Sequence, residues 1–158
     1  MGAKTEITRY MGLKLKKGKE FDPFFLERIP DEGKKYNAVE GFLVAAEVVE
    51  KEFDEGPVDQ FIITLKDSNG EVDIIDFRHS ICGHNLIASL AAADLNLSLK
   101  IVVKKRPTPS GEVFARADVY QDGERVAWVD DVENAPRDFD DKKEFYRELF
   151  TDKVIDRL

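Results

Sequence analysis

Residues 61–78 read FIITLKDSNGEVDIIDFR, and this stretch decides the fold. Phe61 to Lys66 is rich in β-branched and aromatic residues, the composition of a pleated strand. Asp67-Ser68-Asn69-Gly70 follows, and Asn-Gly readily takes the positive φ that a tight hairpin needs. Val72 to Arg78 then restores strand composition, so the two runs are expected to lie side by side and antiparallel. The period changes straight afterwards. Ile81, Leu86, Ile87, Leu90 and Ala91 form an apolar stripe at helical spacing, which predicts a helix over Ile81–Asp94.

The flanks extend the pattern. Upstream, Tyr36 to Phe53 reads as one long strand, with Gly41 marking a bulge or bend where it can serve two parts of a sheet. Downstream, Leu97, Leu99, Ile101 and Val103 alternate on one face, and residues 104–111 form a loop. Glu112 to Tyr120 alternates again, with Val113, Ala115, Ala117 and Val119 facing inward. Asp122-Gly123 is a second hairpin turn, and Arg125 to Val129 is expected to be a short closing strand. The order predicts a mainly β fold over residues 36–130: a five-stranded barrel with one helix between strands three and four. Residues 1–35 form a basic, Phe-rich arm. It carries Lys14, Lys16, Lys17, Lys19, Phe21, Phe24 and Phe25, and Pro23, Pro30 and Gly33 break any long helix. Residues 131–158 form an acidic C-terminal segment in which Phe145, Tyr146, Leu149, Phe150, Val154 and Leu158 suit an amphipathic helix, capped by Asp138 or Asp140.

Composition narrows the function classes. The 158 residues include 24 Lys+Arg and 32 Asp+Glu, a net charge of −8 that argues against a uniformly basic nucleic-acid binder. The distribution is uneven: residues 1–36 carry nine basic and six acidic residues, whereas 37–100 carry four and twelve. Basic charge therefore collects in the arm and around Lys100 to Arg106, and screening over roughly 8 Å permits a basic face on an acidic protein. Cys82 is the single cysteine, which excludes an internal disulfide and suits a reducing, intracellular (cytoplasmic) setting. No stretch approaches the roughly 20 apolar residues of a membrane span.

The layout resembles that of phage-type single-stranded-DNA-binding proteins with an OB-fold. Gly41, the Asn69-Gly70 hairpin, the Ile81–Asp94 helix and the final hairpin from Phe114 to Trp128 carry the resemblance. It implies an OB-fold barrel and sequence-independent binding of single-stranded DNA in replication or recombination, with RNA as a second candidate. It also implies a ligand loop between the fourth and fifth strands, and replication partners recruited through the acidic C-terminal segment. No enzymatic step, cofactor or metal is called for, and a monomer or homodimer would suffice.

Such binding needs cations for phosphates and aromatic faces for bases. Alternation along Glu112–Tyr120 places Phe114, Arg116, Asp118 and Tyr120 outward. Lys100 and Lys104 sit on the outer face of the neighbouring strand and lead into Lys105 and Arg106. Phe61, Phe77 and Arg78 are candidates on the other strand pair. Trp128 suits a buried plug better than a base contact. Two further clusters carry other chemistry. His79, Cys82 and His84 are metal-ligand types without the second pair that a structural zinc site needs. Glu71, Asp73 and Asp76 could serve a metal-dependent nuclease, although alternating acids usually form a wet strand face. A protein-interaction or virion-structural barrel is the alternative to nucleic-acid binding.

Overall fold

The computed structural model describes residues 7–16, 22–29 and 33–158. Among the described residues, nine strands and two α-helices follow in the order β1 (Thr8–Lys16), β2 (Asp22–Glu27), β3 (Lys35–Tyr36), β4 (Ala38–Phe53), β5 (Gly56–Lys66), β6 (Val72–Phe77), α1 (Ile81–Ala92), β7 (Leu99–Pro107), β8 (Val113–Gln121), β9 (Glu124–Arg125) and α2 (Phe139–Lys153). The strands form one sheet in the order β3-β2-β1-β6-β5-β4-β7-β8-β9.

This sheet is mixed and open, which corrects the expected five-stranded barrel. Closing five strands would need β8 to return to the free edge of β6. That edge is already taken by β1, which pairs parallel to β6 from Thr8↔Val72 to Gly12↔Asp76. Among the described residues, β8 therefore pairs only with β7 and β9. The reading of residues 1–35 as an irregular arm is corrected with it. β1 and β2 form an antiparallel pair that places Met11 and Phe25 in the core. Pro23 pairs with Leu15 of β1, and it is tolerated in β2 because, among the described residues, β3 reaches only Phe25 and Leu26 on the other side. Lys17, Lys19, Phe21 and Pro30 lie outside the described residues, as does the side chain of Lys16.

β4 changes partner along its length. Residues Ala38–Gly41 pair with β7, and Phe42–Phe53 pair with β5. The switch falls at Gly41, where an added Cβ would lie 3.0 Å from the backbone of Lys66. Only a glycine lets the two chains approach so closely. Asp122 (φ 53°) and Gly123 (φ 78°) give the β8–β9 turn the paired positive φ of a tight hairpin.

The helices close the core. Ser80 caps α1 by accepting a hydrogen bond from Gly83 N at 2.9 Å. α1 packs on β8, burying Leu86, Ile87 and Leu90, and α2 packs on α1. Asp138 caps α2, which sends Phe150 into the core against the rings of Phe61 and Phe77. After α2, Arg157 Nη1 donates to Ala91 O at 2.7 Å, and Nη2 donates to Ala93 O. A cation so placed satisfies the last carbonyls of α1 and suits its negative dipole end. The C-terminal segment is thus packed onto the fold. Among the described residues, no helix is long and apolar enough to cross a membrane.

Candidate nucleic-acid interface

β7 and β8 pair so that Lys100 faces Tyr120, Val102 faces Asp118, Lys104 faces Arg116 and Arg106 faces Phe114. The intervening pairs, Ile101 with Val119 and Val103 with Ala117, are buried core. Since strand side chains alternate, the first set shares the outer face. Lys105 belongs to the other set, opposite Ala115, and its grouping with Lys104 and Arg106 is corrected. The alternation that places Lys104 and Arg106 outward turns Lys105 away.

Asp118 is the centre of this face and only 1% exposed. Its Oδ1 accepts from Arg116 Nε at 2.7 Å and lies 3.8 Å from Arg125 Nη1. Its Oδ2 lies 3.1 Å from Lys104 Nζ and 3.6 Å from Arg106 Nη2. Four cations from three strands thus surround one carboxylate, a local surplus of three positive charges among the described residues. Lys104 Nζ also donates to the Tyr120 hydroxyl at 3.1 Å. That hydrogen bond, reinforced by Asp118, raises the Lys104 pKa and keeps its charge fixed.

The donors outnumber the acceptors. Three guanidiniums and an ammonium present far more N–H groups than one carboxylate and one hydroxyl can accept. Arg106 Nε is buried without a hydrogen-bond partner among the described residues, and Asp118 Oδ2 accepts no well-aligned bond. The four cationic side chains remain 20–45% exposed, so an incoming anion can reach them.

Aromatic surface lies among the cations. The Arg116 guanidinium sits 5.1 Å over the Trp128 ring, and Lys104 sits 5.6 Å from the Tyr120 ring centre. Phe114 and Tyr120 are half-buried. Trp128 is 42% exposed, which corrects its reading as a plug. The strand expected over Arg125–Val129 ends at Arg125, and Val129 N instead bonds Ala88 O on α1 at 3.0 Å. The chain therefore leaves the sheet and lays Trp128 on the outer face. A groove of about 530 Å³ continues from Tyr120 past Lys100, Val102 and Glu40. Glu40 faces Lys100 across the ladder, which makes this end less cationic than the Asp118 end.

The chain matches no protein-family model, no curated protein and no solved structure. Its function is therefore argued from the geometry of its own residues.

The remaining candidates lie elsewhere. Phe61 and Phe77 are 0% and 2% exposed and stack on each other at 5.3 Å, so neither can offer a face to a base. Arg78 is exposed, lying over the Phe53 ring at 4.5 Å. Asp73 is bound by Arg9 at 2.6 Å, and Asp76 accepts from Arg28 Nε at 2.9 Å on the opposite face of β6. These carboxylates are divided between two arginines and do not converge on one point. Arg125 was not among the candidates read from the sequence and Trp128 was set aside as a plug, because no local pattern shows that they fold back beside Asp118.

His79, Cys82 and His84 do not converge either. His79 Nε2 meets Asp59 Oδ2 at 2.9 Å, and His79 Nδ1 meets His84 Nε2 at 2.8 Å. A carboxylate only accepts, so His79 Nε2 carries its proton and His84 Nε2 donates to His79 Nδ1. His84 stacks on Tyr146 of α2, centroids 4.0 Å apart and rings 8° from parallel. Burial lowers the His79 pKa, and burial with the nearby His79 and Lys142 pushes His84 down to about 3. Both rings are therefore neutral at physiological pH. Burial pushes the Cys82 thiol up to about 12, leaving it unreactive.

Proposed function

We propose that the chain binds single-stranded nucleic acid on the outer face of β7 and β8, without an enzymatic step. The observation that carries this reading is the cluster of Lys104, Arg106, Arg116 and Arg125 around the buried Asp118. The carboxylate fixes the cations in place, and their unmet donors suit the oxygens of a phosphate backbone. Tyr120, Trp128 and Phe114 offer flat apolar surface beside those cations, as unpaired bases require. A duplex would bring the phosphates but would hide its base faces, so the aromatic surface favours single strands. Phosphates and base faces are common to every sequence, which suits sequence-independent binding in replication or recombination. Single-stranded DNA is the ligand we propose first, with RNA as the second candidate.

A fluorescence-anisotropy titration with labelled oligo-dT at two salt concentrations tests the proposal. Saturable binding that weakens with salt and resists duplex competitor is the expected outcome. Absence of binding at low salt, or equal affinity for duplex, would count against it.

A further inference from the structure

A second cationic region lies away from β7 and β8. Two adjoining cavities of about 300 and 380 Å³ share Arg78 and His79. The first is lined by Glu50, Pro57, Val58 and Asp59 from the β4–β5 ribbon and by Phe139, Lys143 and Arg147 from α2. The second adds Lys14, Arg28 and Asp76. Neither cavity shares a residue with the Asp118 face.

Of the carboxylates lining the two cavities, Asp59 and Asp76 are already matched, while Glu50 is exposed. Asp59 is held by His79 at 2.9 Å and lies 3.5 Å from Arg147 Nη1, and Asp76 is held by Arg28. Arg78 is different. Among the described residues no carboxylate lies within ion-pair distance of it, and its guanidinium is steadied over the Phe53 ring. Lys143 is steadied likewise, 4.8 Å over Phe139, with only the exposed Asp140 nearby at 3.9 Å. Two oriented cations, reaching the cavity from different elements, therefore keep donors available at its mouth. Beside them, Pro57, Val58 and the 52%-exposed Phe139 ring give apolar surface. Cations beside a flat apolar wall match a phosphate with an attached base, and about 300 Å³ is at the lower end of small-ligand sites.

We infer that this cleft is a second binding site, taking one nucleotide with its phosphate between Arg78 and Lys143 and its base against Phe139. The ligand can come from a strand that also occupies the Asp118 face or from a free mononucleotide. The choice of a nucleotide rests on the nucleic-acid reading only for the strand source, since the cleft itself carries the phosphate and base surfaces.

The chain has two histidines, and His79 lines the cleft while His84 lies behind it, so imidazole NMR gives a local readout. Thymidine monophosphate titrated into the protein should shift the His79 resonances saturably. Inorganic phosphate alone and thymidine alone should each act more weakly. The Arg78→Ala/Lys143→Ala double variant should bind the nucleotide about tenfold more weakly or worse, having lost two charge-assisted contacts. Preserved His84 resonances would show that its fold is retained. The inference is overturned if the nucleotide leaves His79 unmoved, if phosphate alone acts at the same midpoint, or if the double variant titrates like the wild type. An Arg106→Ala/Arg116→Ala variant separates the two proposals, since it should lose oligonucleotide binding and keep the His79 response. A His79 response in a protein that binds no oligonucleotide would sink the first reading and sustain the second. Long oligonucleotides that lose affinity in the Arg78→Ala/Lys143→Ala variant, where short ones do not, would identify the strand as the source. Unchanged affinity for both lengths would identify the free nucleotide.

Discussion

Two carboxylates organise the polar chemistry of this molecule, and they do so in opposite ways. Asp118 gathers four permanent cations and leaves most of their donors unmet. Asp59 gathers a neutral histidine pair and one arginine, and its hydrogen bonds close on one another. The first arrangement stores uncompensated positive charge at the surface, which suits a ligand. The second has its bonds satisfied and leans on α2 through the His84–Tyr146 stack, which suits a structural clasp. A buried carboxylate alone therefore says little about function. What surrounds it, and whether that set is satisfied, says more.

The contrast can be broken most severely from the structural side. Phe150→Ala would remove the ring that anchors α2 against Phe61 and Phe77, and chemical denaturation should show a loss of about 3–5 kcal/mol. Oligonucleotide affinity of the fraction still folded should be unchanged. From the other side, Arg106→Ala/Arg116→Ala should reverse the pattern. Two charge-assisted contacts are worth about 3 kcal/mol at the lower end, and binding titrations should register that loss. The salt slope should flatten by about 0.7 for each phosphate contact removed.

Acid should sharpen the difference further. His79 and His84 have folded-state pKa values below their ordinary 6.5. Their neutral forms contribute stability that is complete above that value, and the unfolded chain gains protons first as pH falls. Stability is therefore lost from about pH 6.5 downward toward the folded value near 3. Each proton adds at most about 1.4 kcal/mol per pH unit, so His84 alone accounts for up to about 2 kcal/mol between pH 6.5 and 5. Urea titrations at the two pH values check this, and His84→Gln should reduce the dependence. The raised Lys104 pKa keeps that cation charged over the same interval, so affinity per folded molecule should hold. Tyr120→Ala should cost about 1–3 kcal/mol of binding if a base stacks there. Lys105→Ala should be the mildest change, within about 0.5 kcal/mol in affinity and stability, because Lys105 lies on the opposite face.

What was legible in the sequence was local. The Asn69-Gly70 hairpin, α1 after Ser80, the alternation along β8 and the amphipathic α2 each rest on neighbours a few residues apart. The parallel pairing of β1 with β6 was not legible, because it joins residues 64 apart at Arg9 and Asp73 and no local signal names the partner. Met11 and Leu13 do alternate, yet the basic residues and prolines around them mask the strand. Asp118 was read as an outward-facing position, and its alternation was right. Its burial comes from four long side chains folding over it, three of them from other positions of β7 and β8. Phe61 and Phe77 show the converse: aromatic strand residues that looked available are core, since α2 covers them.

Trp128 is the only tryptophan in the chain, and it lies on the cationic face with Arg116 over its ring. Its fluorescence during titration with unlabelled oligo-dT is therefore the most direct test of that face. The expected result is a saturable quench that reverses with added salt and is lost in the Arg106→Ala/Arg116→Ala variant. Emission that stays unchanged at low salt while oligonucleotide is in excess would contradict the placement of the strand on β7 and β8.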